Sequence, residues 1–239
     1  MRYAIFGTGR LAASLAPYLR RLGHETTLVP RRDGEAKTEA ARRAVAAADV
    51  VAAAVPDRAI LAWRDLWAPE IAGKTALHFS GALAAPGLVG AHPLCAFPKT
   101  PLAFEQMRAV AFAMQEGAPP LAAIFPGADN PTFVVADADR AFYHALAVLS
   151  GNFATHVWNE TAKAMEDRLG LDAATVLGPY LAGVAERFAE SPRDSLTGPL
   201  ARRDRPSAEA NLAALAEAPR LAALYRAFLA SAWPDFDKK

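Results

Sequence analysis

Apolar and polar positions along the chain change period in a regular order. Residues 3–6 form a short apolar run that stops at Gly7-Thr8-Gly9-Arg10-Leu11-Ala12. Beyond that break Leu11, Leu15, Leu19 and Leu22 recur at helical spacing, Gly23 is placed to close the helix, and a second apolar run covers 26–29. The alternation continues with a helix expected over 34–48, a buried strand over 49–55, a helix over 58–67 that packs Ile60, Leu61, Trp63, Leu66 and Trp67, and a strand over 74–79. Further strands are expected at 109–114 and 132–135, joined by a helix through 121–125. After residue 138 no β-rich run occurs. Helices are expected over 138–170 (continuous through Gly151 or bent there), 173–189, 207–216 and 219–233, with a loop over 191–206. This order predicts an α/β domain over 1–138 and an all-α domain over 139–239, with a cleft between them of the kind that ligands favour.

The opening stretch is strand, glycine turn, helix, strand, which is the context that gives a GxGxx[GA] pattern its meaning. In the Rossmann dinucleotide-binding arrangement Gly7 permits the tight turn, Gly9 leaves room for a pyrophosphate, and Ala12 lets helix and strand approach. The amides near Gly9, Arg10 and Leu11 then face the phosphates at the positive end of the helix dipole, with Thr8 in the same turn. An NAD site has an acidic residue about 20 residues beyond the glycines. Here the second strand runs into Pro30-Arg31-Arg32, and two guanidiniums suit a 2′-phosphate, so the expected cofactor is NADP(H). Asp33 comes too late for that role and is expected to cap the next helix or face water. The bland alternative is a βαβ unit with solvated arginines. The third strand ends in Val55-Pro56-Asp57, placing Val55 and Pro56 beside the cofactor, with Asp57 read as a helix N-cap.

Composition narrows the class. The apolar fraction of 53% in 239 residues is raised by alanine, and the most apolar stretch, 44–55, is too short to span a bilayer and contains Asp49. The glycine motif starts close to Met1, so no targeting peptide is expected. A single cysteine excludes an internal disulfide framework and a cysteine-rich metal site, and a net charge of +1 with scattered basic pairs argues against a nucleic-acid partner. The expectation is a cytoplasmic protein with a small-molecule substrate, no metal, no membrane and no nucleic acid.

Candidate chemistry falls in three places. His78, Ser80 and Gly81 lie where a parallel strand reaches its carboxyl end, and His92-Pro93 lies in the next turn region. Ser80, Gly81 and His92 could hydrogen-bond a carbonyl or carboxylate beside the nicotinamide or simply shape turns, while His78 reads as a satisfied strand histidine and Cys95 as a core residue. Farther on, Tyr143-His144 precedes Asn152, and His144, Val148 and Asn152 follow an i, i+4, i+8 stripe. His144 and Asn152 are therefore expected on one face, as proton donor and substrate-orienting amide or as part of a solvated or buried polar side. Lys163 is a reserve donor in a charged stretch containing Glu160, Glu166, Asp167 and Arg168. In the loop Thr197-Gly198-Pro199-Leu200-Ala201-Arg202-Arg203-Asp204, Arg202 is a candidate clamp for an anionic substrate held by Asp204, or half of a pair tying the loop down.

GTGRLA at the start, VPD at 55–57, HFSGAL at 78–83, AHPL at 91–94, YHALAVLSGN at 143–152 and TGPLARRD at 197–204 together carry a resemblance that spans essentially the whole chain. It resembles a family of Rossmann-like predicted oxidoreductases with a C-terminal helical domain of uncharacterised function, relatives of pyrroline-5-carboxylate and ketopantoate reductases. The resemblance implies an NADP-dependent reductase that forms a homodimer through its helical domain. Ketopantoate reductases use a lysine and asparagines on the first helix after the Rossmann domain; here His144 stands about where the lysine is expected and Asn152 keeps the amide. The expected activity is hydride transfer between NADPH and a small carbonyl or imine, such as a keto acid. In that reading His144 donates the proton with Ser80 or His92 assisting, Asn152 orients the substrate and Arg202 binds its carboxylate. The alternatives are a non-catalytic NADP(H)-binding sensor or scaffold, and a deazaflavin-dependent oxidoreductase.

Overall fold

The computed structural model describes residues 1–236, in two units that divide at Gly151 and Asn152. Strands β1 (Arg2–Phe6), β2 (Glu25–Val29), β3 (Val50–Ala53), β4 (Thr75–His78), β5 (Val89–Pro93), β6 (Phe112–Gln115) and β7 (Thr132–Val135) make one sheet in the order β2-β1-β3-β4-β5-β6-β7. The first five are parallel; β6 runs antiparallel to β5, and β7 parallel to β6. With helices on both faces the central strands are buried throughout, which is why they read as continuous apolar runs. Side-chain alternation sends Tyr3 and Ile5 to one face, against Leu15 and Leu19 of α1 (Arg10–Arg21), and Ala4 and Phe6 to the other. On that second face Phe6 meets Trp63 and Trp67 of α4 (Asp57–Ile71) edge-on, at 5.2 and 4.9 Å between ring centres.

This is the α/β sheet expected, followed by an all-α segment, but several local expectations change. The helix expected over 34–48 is two helices, α2 (Arg31–Glu35) and α3 (Glu39–Ala47). Lys37 takes a left-handed conformation (φ +46°) and Thr38 caps α3 by accepting the Ala41 amide through Oγ1, which restarts the helix in a new direction. Asp33 lies in the first turn of α2, whose N-cap is Pro30, so it is not the cap of the following helix. Likewise Pro56, not Asp57, is the N-cap of α4. His92 is in strand β5 rather than a turn, because Ala91, His92 and Pro93 pair with Met114, Ala113 and Phe112 of β6. Short helices α5 (Phe104–Arg108) and α6 (Leu121–Ile124) precede β6 and β7.

After a single 3₁₀ turn (Asp137–Asp139) comes α7 (Arg140–Ala147), which belongs to the sheet unit, and then a π-turn (Val148–Phe153). In it Ser150 donates its hydroxyl hydrogen back to the Leu146 carbonyl at 2.8 Å. The π geometry breaks the α-helical stripe on which His144, Val148 and Asn152 were expected to share a face.

The second unit holds α8 (Ala154–Leu169), α9 (Ala173–Glu190), α10 (Arg205–Ala214) and α11 (Pro219–Ala232). Leu200 joins Ala208, Leu229, Trp233 and Phe236 in a small core. Among the described residues no helix is long and apolar enough to cross a membrane.

Trp67 couples α4 to the start of the chain. It is fully buried against Phe6, and its indole N–H donates to the Gly34 carbonyl at 3.2 Å. Trp67→Ala is expected to cost about 3–5 kcal/mol, read from the urea midpoint and slope. A loss below about 1 kcal/mol would show that α2 and α4 do not depend on this contact.

Candidate functional site

The glycine turn after β1 has the conformation its sequence implies. Gly7 sits at φ +112°, and a Cβ there would fall 2.2 Å from the Ala54 carbonyl oxygen, so no other residue fits. Its amide donates to the Val29 carbonyl at 2.9 Å, which joins the turn to the end of β2. At Gly9 a Cβ would meet nothing within 4 Å, so the backbone there faces open space. Gly9 is also the N-cap of α1 without a side-chain cap, and the first turn carries no acidic residue, so the Arg10 and Leu11 amides begin the helix uncapped. Beside this turn lies a cavity of about 320 Å³ lined in part by Gly7, Thr8, Gly9, Arg31, Val55 and Pro56. Arg31 is exposed and its Nε donates to Glu35 at 2.6 Å. Arg32 is exposed and is not part of the lining, Arg10 reaches the Phe97 carbonyl at 3.4 Å, and Leu11 packs on the core.

A second group of residues forms at the carboxyl ends of β4 and β5. The Ser80 hydroxyl donates to Asp57 Oδ2 at 2.5 Å and accepts the Ala82 and Leu83 amides at 3.2 and 3.0 Å. Asp57 therefore ties α4 to the loop after β4, and Ser80 shapes that loop with every hydroxyl valence in use. Arg140, fully buried, donates from Nε to the Leu83 carbonyl at 2.9 Å and from Nη2 to the Ser80 carbonyl at 2.6 Å. Its guanidinium lies flat on Gly90, where a Cβ would come within 3.1 Å of Nη2. His78 is fully buried and accepts the Ser80 amide at Nδ1, 3.2 Å away, which leaves the proton on Nε2. It is thus half satisfied, since Nε2 has no hydrogen-bond partner among the described residues.

Gly81 lies under two imidazoles. A Cβ there would be 2.6 Å from His144 Cδ2 and 3.1 Å from His92 Nε2. The two rings meet edge to face at 5.8 Å, and His92 Nδ1 shares a hydrogen bond of 2.8 Å with the Tyr143 hydroxyl. Tyr143 in turn packs edge-on against Phe133 of β7, at 5.6 Å. Burial, reinforced by Arg140, pushes the His78 pKa down to about 4. Burial, then His144 and Arg140, do the same for His92. Burial raises the Tyr143 phenol, partly offset by Arg140.

The structure thus gathers Ser80, Gly81, His92 and His144 and places Gly7, Thr8, Gly9, Arg31, Val55 and Pro56 around one cavity. Asn152 and Arg202 are exposed and belong to the second unit. There Asp204 does not hold Arg202: its carboxylate caps α10, accepting the Ser207 amide and hydroxyl at 3.2 and 2.7 Å. The loop is anchored instead by buried Leu200 and by Arg203 over the Trp233 ring at 5.9 Å. Lys163 pairs with Asp167 at 2.9 Å, which holds its amine in the charged form. Sequence reasoning gave no role to Arg140 or Tyr143 and missed the Asp57–Ser80 bond. The i, i+3, i+4 spacing of Arg140, Tyr143 and His144 was the available signal, since it puts all three on one face of a helix.

Residues 110–232 match the family described as a domain of unknown function, DUF2520. The chain belongs to this DUF2520 family. No curated protein sequence matches it. Solved structures share its fold at low identity. A Bacteroides fragilis protein provisionally assigned as an NADP oxidoreductase superposes with TM-score 0.72 at 21% identity, covering 97% of each chain. Protein TM1727 of Thermotoga maritima gives 0.70 at 23% identity over 95% of each. An imine reductase from Myxococcus stipitatus, in complex with NADP+, gives 0.62 at 16% identity over 98% of this DUF2520 chain and 94% of the reductase.

The two low-pKa rings make the fold pH-sensitive. In the folded chain His78 and His92 stay neutral down to about pH 4, whereas an unfolded histidine protonates near 6.5. Between those values the unfolded state binds more protons, so stability falls as pH falls across that window. Urea midpoints taken from pH 7 to pH 5 should decline steadily; a constant midpoint would mean that these rings are not held neutral.

Proposed function

We propose that this DUF2520 chain is an NADP(H)-dependent oxidoreductase that reduces a small carbonyl or imine. The observation that carries the reading is the cavity beside the glycine turn, where a bare helix start and the Arg31 guanidinium face the same space. The residues present fit a phosphorylated dinucleotide. Gly7 and Gly9 leave the backbone bare, the α1 amides suit the diphosphate, and Arg31 suits a 2′-phosphate. Binding replaces the exposed Arg31–Glu35 ion pair, which is worth less than about 1 kcal/mol. The shared fold of an imine reductase complexed with NADP+ supports the same reading. When bound, the reduced nicotinamide supplies a hydride.

The chain's own residues supply binding, orientation and the proton. The bond from Ser80 to Asp57 connects the α4 start, next to cavity-lining Pro56, with the loop that carries Gly81. Gly81 of that loop lies against His92 of β5 and His144 of α7, and Tyr143 of the same helix bonds His92. At neutral pH the His92 ring is uncharged, so it serves as a hydrogen-bonding group and not as the acid.

A second copy of the chain is the proposed partner. Helix α9 buries only Ala173, leaving Val176, Tyr180, Val184 and Phe188 exposed. From 173 to 185 it carries no charge, so it can face its own copy across a two-fold axis without like-charge repulsion. Light scattering should give twice the 25.4 kDa chain mass, and Val184→Glu should return it to one chain. A monomeric wild-type protein at micromolar concentration would refute this.

Fluorescence titration should show NADPH binding more tightly than NADH. Arg31→Ala should weaken NADPH about tenfold or more while leaving NADH unchanged, and Arg32→Ala should do less. Equal affinities would remove the arginine argument. Tight NADPH binding without oxidation by any carbonyl or imine would favour the non-catalytic sensor instead.

A further inference from the structure

Of the polar groups on this sheet edge, most are already committed. The Ser80 hydroxyl is fully used, Asp57 accepts from it, and His78 is enclosed beneath the loop with Nδ1 engaged. Arg140 gives Nε and Nη2 to two backbone carbonyls, and its enclosed Nη1 has no hydrogen-bond partner among the described residues. Tyr143 differs. Among the described residues its hydroxyl makes one hydrogen bond, to His92 Nδ1 at 2.8 Å, and its ring is braced by Phe133. It is half-buried, so it is neither enclosed nor loose.

We propose that Tyr143 is the proton donor of the reductase reaction and that His92 is its positioning and resupply partner. The inference rests on the reductase reading above. With His92 in the Nδ1–H tautomer, that N–H donates to the Tyr143 oxygen and leaves the phenolic hydrogen free to point elsewhere. As the hydride from NADPH reaches the substrate carbon, the Tyr143 O–H bond breaks and its proton goes to the carbonyl oxygen or imine nitrogen. The phenolate takes the Nδ1 proton of His92, and His92 gains one from water at Nε2, returning to neutral in the other tautomer. Rotation of that proton inventory through water restores the start, so one hydride and one solvent proton are consumed per turnover.

The surrounding charges suit this assignment. Arg140 and His144 on α7 and Asp57 at the α4 start are the titratable groups that act on the pair, while β7 contributes the apolar Phe133. A buried guanidinium nearby favours a passing phenolate and opposes an imidazolium. A phenol donor relayed by a neutral ring has a flat turnover profile from pH 6 to 9. A histidine donor loses activity as pH rises above about 6.5.

The test uses the full chain with NADPH and three probes: pyruvate, cyclohexanone and 1-pyrroline. Tyr143→Phe should bind NADPH within twofold of wild type and lose about 100-fold or more in kcat on any probe that turns over. His92→Asn, which keeps an N–H at the Nδ1 position, should retain far more activity than His92→Leu. Nitrogen NMR of the free chain at pH 7 should show His92 Nδ1 protonated, with a shift that moves in Tyr143→Phe. Full kcat in Tyr143→Phe, a profile that falls above pH 6.5, or an unprotonated Nδ1 would overturn the donor assignment and leave the reductase standing. A wild-type chain that oxidises NADPH with none of the probes would overturn both.

Discussion

The buried guanidinium of Arg140 is the constraint on which the candidate site depends. Enclosing a charge with no carboxylate partner among the described residues is costly, and the cost is offset in part by donating from Nε and Nη2 to the Leu83 and Ser80 carbonyls across a gap in sequence of about sixty residues, while Nη1 has no hydrogen-bond partner among the described residues. Those bonds dock α7 onto the loop after β4, and the flat contact with Gly90 docks it onto β5. A lysine could not make the same contacts, because they need a planar fork and a face that stacks on bare backbone. Tyr143 and His144, one turn along the same helix, are positioned as a result. Gly81 then has to be glycine because His144 and His92 occupy the space where a side chain would go.

Burial, with the same charge reinforcing it, sets the protonation of its neighbours. Beside it, and away from water, His78 and His92 cannot hold a proton at neutral pH. His92, which the sequence offers as an assistant to the proton donor, is thereby restricted to neutral hydrogen bonding. The cavity near Gly7 and the ring cluster near Gly81 are joined by one short bond from Ser80 to Asp57, so a residue read as a plain helix cap links the two parts of the site.

How far these features could be read in advance depends on how local their causes are. The turn at Gly7 was legible because its left-handed backbone and the pressing Ala54 carbonyl demand glycine, and the flanking runs of Tyr3 to Phe6 and Leu11 to Leu22 have unmistakable periods. Strand β7 was legible for the same reason. Strand β5 was not: Val89-Gly90-Ala91-His92-Pro93 contains two residues unfavourable in strands, and it is extended because β4 and β6 both pair with it. The interruption at Lys37 and Thr38 left no periodic trace, since the alanines on either side suit one long helix as well as two short ones. The π-turn escaped because Val148 to Phe153 reads as ordinary helix until its hydrogen bonds are known.

By itself the sequence determined the α/β order followed by helices, the glycine turn, the arginines after β2 and the histidines and serine near one sheet edge, because these follow from local backbone preference and the spacing of apolar residues. Tertiary structure alone decided that Arg31 and not Arg32 lines the cavity, that Ser80 is tied to Asp57, and that Tyr143 reaches His92. Each of those outcomes is a contact between side chains whose partners lie on separate elements or are selected by the packing of a whole helix. Pattern along a chain carries periodicity, but it does not carry distance.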